Sequence, residues 1–232
     1  MTTRLPAFIA PGSAPVFPPD SSALDEPNGL IALGGDLAPE RLIAAYRRGI
    51  FPWYESGQPI LWWTPDPRLV LFPQRFHLGR TLRRTLRRAD FDIRFDTGFG
   101  DVIRACAAPR DGEPGTWITP EMIAAYQALH HRGTAHSVEV WRDGELIGGL
   151  YGIAMGAAFF GESMFSRAPG ASSLALYALC ERLLAYANAF IDCQVPSRHL
   201  IGLGAERVSR REFKRIRDTA VDGPGPWDDY LP

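Results

Sequence analysis

The sequence predicts an α+β or mixed α/β protein built on one central sheet, and three features of it point there. The run from Leu146 to Gly161 carries no charge and is interrupted by Gly148, Gly149, Gly152 and Gly156. A membrane span takes about 20 apolar residues with few interruptions, so the run reads as two adjacent buried strands with Gly156 at or near their turn. The segment Ala135 to Trp141 alternates as a strand, and Asp143-Gly144 joins it to the apolar run as a hairpin. Helical segments lie between the groups of strands, the pattern of helices packed on one sheet.

In chain order, residues 1–35 are rich in turn formers, Glu26-Pro27-Asn28-Gly29 foremost among them. Asp36 is placed to cap a helix whose apolar stripe is Leu42, Ala45 and Tyr46, and Gly49 stands where that helix ends. The crowded aromatics Phe51, Trp53, Tyr54, Trp62 and Trp63 read either as a rigid inter-domain connection or as a substrate wall. Prolines after Trp63 place a domain boundary near residues 64–68, dividing the chain into a small N-terminal α/β domain (1–66) and a larger one (67–232). Thr119-Pro120 opens a helix that Gly133 ends. A helix from about Ser172 to Asn188, a strand ending at Gln194, a short helix around His199 to Leu203 and a basic helix near Arg210 to Arg217 follow.

Composition narrows the function. The 232 residues are 46% hydrophobic with a net charge of −1, which gives no global pull toward nucleic acid. One local segment, Leu78 to Arg88, is different. At about 100° per residue Leu78, Leu82 and Leu86 fall within an arc of roughly 80°, and Arg80, Arg83, Arg84, Arg87 and Arg88 spread over the opposite face with no acid before Asp90. Such a stripe suits a phosphate backbone. The first twenty residues lack an apolar core flanked by positive charge, so no signal peptide is expected. Three cysteines without CxxC spacing favour reduced thiols in a cytosolic protein.

Two strand ends carry candidate chemistry. The first is Gly161-Glu162-Ser163-Met164-Phe165-Ser166-Arg167, ahead of a helix; the second is Ile191-Asp192-Cys193-Gln194. Strand alternation puts Asp192 and Gln194 on one face and Cys193 on the other, which makes Cys193 a core thiol. Asp192 and Gln194 share a polar mouth with Glu162 if their strands are near neighbours, either as chemistry or as a satisfied hydrogen-bonded pair. Ser163 is not in a GxSxG elbow, and the five histidines have no metal-ligand spacing, so no metal is expected. Walker A and GxGxxG motifs are absent from the sequence. Arg167 to Ser172 approaches the RxxGxG/A loop of acyl-CoA-dependent N-acetyltransferases, where backbone N–H groups at a helix start receive an anion.

The strings EPNGLIALGGDL, AYRRGIFPWY, PILWWTPDPR, GTWI, AHSVEVW, GGLYG, FFGESMFSR and IDCQ, in this order and spacing, resemble the leucyl/phenylalanyl-tRNA–protein transferase family over roughly residues 24 to 213. The resemblance implies a small N-terminal domain followed by an N-acetyltransferase-like (GNAT-like) domain with a central, mostly antiparallel sheet flanked by helices. It implies transfer of Leu or Phe from Leu-tRNA or Phe-tRNA to proteins with N-terminal Arg or Lys, marking them for N-end-rule degradation in the bacterial cytoplasm. No cofactor is implied, no membrane is involved, and a monomer is expected. Family members usually have Asn where Gly170 stands and Lys where Ser173 stands.

By the same resemblance Gln194 accepts a hydrogen bond from the attacking amine while Asp192 orients Gln194 and receives the proton through it. A neutral amide is a poor base, so orientation by Gln194 with charge from Asp192 is the physically safer form. Glu162 would fix the α-amino end of the aminoacyl group or help to hold the cationic acceptor. Trp53, Trp117, Leu150, Phe159 and Leu179 would surround the Leu or Phe side chain. Arg80, Arg83, Arg84 and Arg87 are the expected contacts to the phosphates of the tRNA acceptor stem. An aminoacyl ester is already activated, and an α-amine with a pKa of about 7.7–8.0 is partly neutral at cytosolic pH, so the work is positioning plus one proton transfer. Two other functions compete: an acyl-CoA-dependent N-acetyltransferase using Arg167 to Ser172, and a non-catalytic RNA-binding module using the arginine helix.

Overall fold

A computed structural model describes residues 5–109 and 116–228, which build two sheets. The first contains β1 (Ala7–Ile9), β2 (Leu30–Gly34), β3 (Phe51–Pro52) and β4 (Leu61–Trp63) in the order β1-β2-β4-β3, with α1 (Pro39–Arg47) between β2 and β3. Leu42, Ala45 and Tyr46 are the buried side of α1, as expected, and Gly49 follows it at φ 69°. Asp36 is not the cap of that helix. Ala38 takes that position and Pro39 opens the first turn, where proline needs no hydrogen-bond partner and its fixed φ suits the helix. Asp36 instead accepts the Ala38 N–H and holds the guanidinium of buried Arg41 at 3.1 Å.

The chain then passes to the second sheet. Its elements are β5 (Arg68–Leu71), α2 (Arg80–Arg88), β6 (Asp92–Phe95), α3 (Phe99–Ala107), α4 (Pro120–His131), β7 (Ala135–Arg142), β8 (Glu145–Met155), β9 (Ala158–Ser166), α5 (Ala171–Leu183), β10 (Phe190–Gln194), α6 (Arg198–Gly202), β11 (Glu206–Val208) and α7 (Arg210–Ala220). The strand order is β11-β5-β10-β9-β8-β7-β6, and every neighbouring pair is antiparallel except β9 with β10. A mostly antiparallel sheet flanked by helices is what the sequence led us to expect.

Local signals act where they were read. The Thr119 hydroxyl caps α4 by accepting the Met122 N–H, and Asp143 and Gly144 both have positive φ in the β7–β8 turn. Gly156 turns β8 into β9 at φ 53°, and a Cβ there would lie 2.4 Å from the Ala220 carbonyl oxygen. Only glycine fits. Gly148 has another role, because a Cβ there would meet that of Ala171 at 2.4 Å. Its bare backbone lets the start of α5 lie directly on β8. Three bounds differ from expectation: α2 starts at Arg80, after Gly79, α5 ends at Leu183, five residues before Asn188, and α7 runs on to Ala220, three residues past Arg217. Asn188 is left-handed (φ 62°) because the chain reverses there into β10.

Candidate active site

A cavity of about 410 Å³ opens where β9 and β10 stop pairing. Their parallel register runs Phe190–Ala158, Ile191–Phe159 and Asp192–Phe160 and goes no further. Beyond that point Gly161 to Met164 line one side of the cavity and Cys193 to Val195 the other. Each strand is bulged at this place. On β9, Tyr151 of β8 pairs with Ser163 and Gly152 pairs with Gly161, so Glu162 is the extra residue. On β10, Asp192 pairs with Val70 and Gln194 with Leu69, so Cys193 is the extra residue. A bulge re-aims its neighbours, and here two bulges face each other across the gap.

That geometry corrects the expected alternation along Asp192-Cys193-Gln194. Gln194 is left-handed at φ 61°, a conformation rare for a residue with a side chain. Its N–H turns back to Asp192 Oδ1 at 2.9 Å, and its side-chain Nε2 donates to Glu162 Oε1 at 2.7 Å across the gap. Asp192 does not meet Glu162 directly. Its carboxylate takes a two-pronged hydrogen bond from Arg68, Nε to Oδ1 at 2.8 Å and Nη2 to Oδ2 at 2.7 Å, where both side chains are 1% exposed or less. Arg68 lies between the rings of Phe51 and Phe213, 4.7 and 4.6 Å from their centroids. Losing either partner would leave a buried charge unpaired, which costs about 3–5 kcal/mol.

Glu162 is the electrostatically distinctive group. Burial pushes its carboxyl up to about 7, against hydrogen bonds from Tyr46, Tyr126 and Gln194 that pull it down and the Asp192 charge that adds to the rise. The Tyr126 hydroxyl donates to Glu162 Oε2 at 2.8 Å and in turn meets the hydroxyl of Tyr46. Burial first, and the Glu162 charge second, push both phenols well above their ordinary range. The hydroxyl of Tyr151, also on the cavity wall, is buried without a hydrogen-bond partner among the described residues.

The structure brings together most of the residues picked out from sequence. Trp53, Trp117, Leu150, Phe159 and Leu179 all line the cavity, with Phe51, Leu176 and Ile191 beside them. Leu150, Phe159 and Leu179 are also core residues, while Trp53 is 44% exposed at the edge. Within the aromatic segment Phe51 and Trp53 line the cavity, while Trp62 is fully buried in the first sheet. Cys193 lines the cavity too, but burial, with the Asp192 charge next, pushes its thiol up. Arg80, Arg83, Arg84 and Arg87 stand apart from the cavity, exposed on α2 and without an ion pair among the described residues. Of the acetyltransferase-like loop, the Ser172 N–H is already given to Ser166 Oγ at 2.8 Å and Arg167 is bound to the Leu146 carbonyl.

Arg68, Tyr46 and Tyr126 were missed. Arg68 sits in the quoted string PILWWTPDPR, and an arginine opening a strand of fully buried residues was the available signal. Tyr46 shows in the sequence only as part of an apolar stripe, because its phenol reaches Glu162's network from helix α1 through the Tyr126 hydroxyl.

The leucyl/phenylalanyl-tRNA protein transferase family matches residues 70–218, and its N-terminal domain matches residues 35–66. The chain belongs to this family. A leucyl/phenylalanyl-tRNA–protein transferase of Azotobacter vinelandii is 60% identical over 212 residues, 91% of this chain and 94% of its own length. Those of Pseudomonas entomophila and Nitrosomonas eutropha are 60% and 55% identical, covering 90% of this chain and 92% and 89% of theirs. Among solved structures, a GCN5-related N-acetyltransferase from Kribbella flavida is similar at 11% identity and a TM-score of 0.38, over 72% of this chain and 60% of that one. Among the described residues no helix is long and apolar enough to cross a membrane.

Proposed function

We propose that this transferase moves Leu or Phe from Leu-tRNA or Phe-tRNA to the N-terminal Arg or Lys of acceptor proteins, as a cytoplasmic monomer feeding N-end-rule degradation. The amine nitrogen attacks the ester carbonyl carbon; a C–N bond forms, the bond to the ribose oxygen breaks, the nitrogen loses a proton and that oxygen gains one. No cofactor enters the balance. The observation that carries the reading is the fixed amide of Gln194 on the wall of an apolar cavity. Because Nε2 is committed to Glu162, Oε1 is left as the acceptor for an N–H of the attacking amine. Asp192 acts by holding Gln194. Glu162, whose carboxyl changes state near pH 7, is suited to take the proton from nitrogen and return it to the ribose oxygen.

The aminoacyl side chain lies against Leu150, Phe159 and Leu179, with Trp53 and Trp117 nearer the mouth. An apolar wall selects by size, each methylene being worth about 1–3 kcal/mol. Arg80, Arg83, Arg84 and Arg87 hold acceptor-stem phosphates, and residues 1–66 form a domain of their own that contributes Trp53. The test is transfer of labelled Leu from Leu-tRNA to one protein beginning with Arg and to the same protein beginning with Ala. Transfer to the Arg protein alone is expected. Transfer to neither, with tRNA bound, would refute the reading.

A further inference from the structure

Arg68 does not line the cavity, yet it is bonded through two hydrogen bonds to a residue that does, Asp192. Its two prongs occupy both oxygens of Asp192, and Oδ1 also takes the Gln194 N–H. A proton arriving on Asp192 would neutralise the charge that balances the guanidinium and leave Arg68 as an unpaired cation 1% exposed. The carboxylate is thus built to be held, not to receive.

What it holds is the turn at Gln194. That residue has given up regular extended geometry for φ 61°, and the Asp192 oxygen is the acceptor of its N–H there. Regular extended geometry would leave Gln194 two residues from Asp192 on the same strand face, aimed along the direction of Arg68 instead of across the gap at Glu162. The guanidinium is itself fixed from both sides: by Phe51, which also lines the cavity, and by Phe213 on α7. Three parts of the fold therefore meet on one side chain.

We infer that Arg68 is a positioning residue for the proposed transfer: it locks Asp192, and Asp192 locks the left-handed turn that presents Gln194 to the attacking amine. This rests on the proposed function, and it removes Asp192 from the path of the proton. A flat fork is required, because two parallel N–H groups must meet two oxygens while the plane lies between two rings. Lysine keeps the charge and loses the fork.

The experiment uses the full chain with Phe-adenosine as donor and an Arg-initiated peptide as acceptor, comparing wild type with R68M, R68K, D192N and D192A. Displacing a catalytic group by about 1 Å costs on the order of 100-fold, so R68M is expected to lose about that in kcat. Its KM for Phe-adenosine should stay within about twofold of wild type, since the apolar wall of Leu150, Phe159 and Leu179 does not touch Arg68. R68K should fall between R68M and wild type. D192N keeps an oxygen for the Gln194 N–H and should retain more kcat than D192A, with the pH dependence of the rate preserved.

Wild-type kcat in folded R68M, or equal loss in D192N and D192A, would overturn the inference. If R68M does not fold, R68K and D192N decide the matter. The side-chain amide of Gln194, followed by 15N NMR, gives a reading independent of turnover: its resonance should move toward that of a free glutamine in R68K, and no movement would refute the lock. A wild-type enzyme that transfers nothing would sink the proposed function, while the NMR arm would still judge Arg68.

Discussion

The protein treats positive charge in two opposite ways. Arg68 is 1% exposed, its Nε and Nη2 matched by the two Asp192 oxygens, its Nη1 without a hydrogen-bond partner among the described residues, and its plane capped by two rings. The arginines of α2 are exposed, unpaired among the described residues, and gathered on one face of a helix whose buried contact is Leu82. Burying a charge is tolerable only when it is paired, so Arg68, held by Asp192, is a fixed part of the architecture and its charge is used inside it. An exposed, unmatched stripe costs little in isolation and keeps its field available to a polyanion. The two regions differ in what they can do because they differ in what solvent can reach.

The contrast can be broken experimentally, beginning with its strongest consequence. Gln194→Ala removes the acceptor proposed for the amine and should lower kcat by about 100-fold or more on Leu-tRNA and on Phe-adenosine alike. A loss on tRNA alone would move Gln194 from the chemical half of the molecule to the binding half.

Next in size is Glu162→Gln. With the carboxyl pushed up to about 7, the wild-type rate should rise with pH through that value and the variant should lose the inflection. Stability should move the other way. The native state keeps this proton to about 7 while the unfolded chain releases it near 4.5, so folding binds a proton between those values and the wild type loses stability as pH rises through them. Glu162→Gln should therefore raise Tm relative to wild type at pH 8 and have less effect below pH 4.5. An unchanged Tm difference across that range would show that Glu162 titrates normally.

The stripe predicts a smaller, salt-dependent effect. Arg83→Ala with Arg84→Ala should weaken tRNA binding and reduce the slope of log affinity against log salt by about 1.8, two contacts at about 0.9 each. Transfer from Phe-adenosine should be nearly unaffected. Equal losses on both donors would make α2 a structural helix. The smallest effect concerns the apolar wall, which should accept Met from Met-tRNA at a kcat/KM about 10- to 200-fold below Leu. Complete rejection of Met would mean that a polar group as well as shape selects the side chain.

Much of the frame was legible in the residues. The hairpin around Asp143-Gly144, the turn at Gly156, the start of α4 at Thr119 and the arginine face of α2 follow from local rules of backbone and period, which act within a few residues and leave marks in sequence. Short strands were less visible: β5, β6 and β11 have four residues or fewer, and helix α3 between Gly98 and Ala108 went unread. Asp36 misled because Pro39 delays the helix by a turn's beginning. The motif series placed Glu162, Asp192 and Gln194 in one family and one site, but not in their arrangement.

The class of fold, the family and the residue types that the chemistry draws on can thus be read along the chain. The tertiary structure decided who holds whom. Two bulges that exist only because β9 and β10 are paired with other strands send Gln194 to Glu162 and leave Asp192 to Arg68, 124 positions away in the chain. A carboxylate's role depends on which donors surround it and how much water remains, and both are properties of packing between distant segments. No local pattern along the chain encodes them.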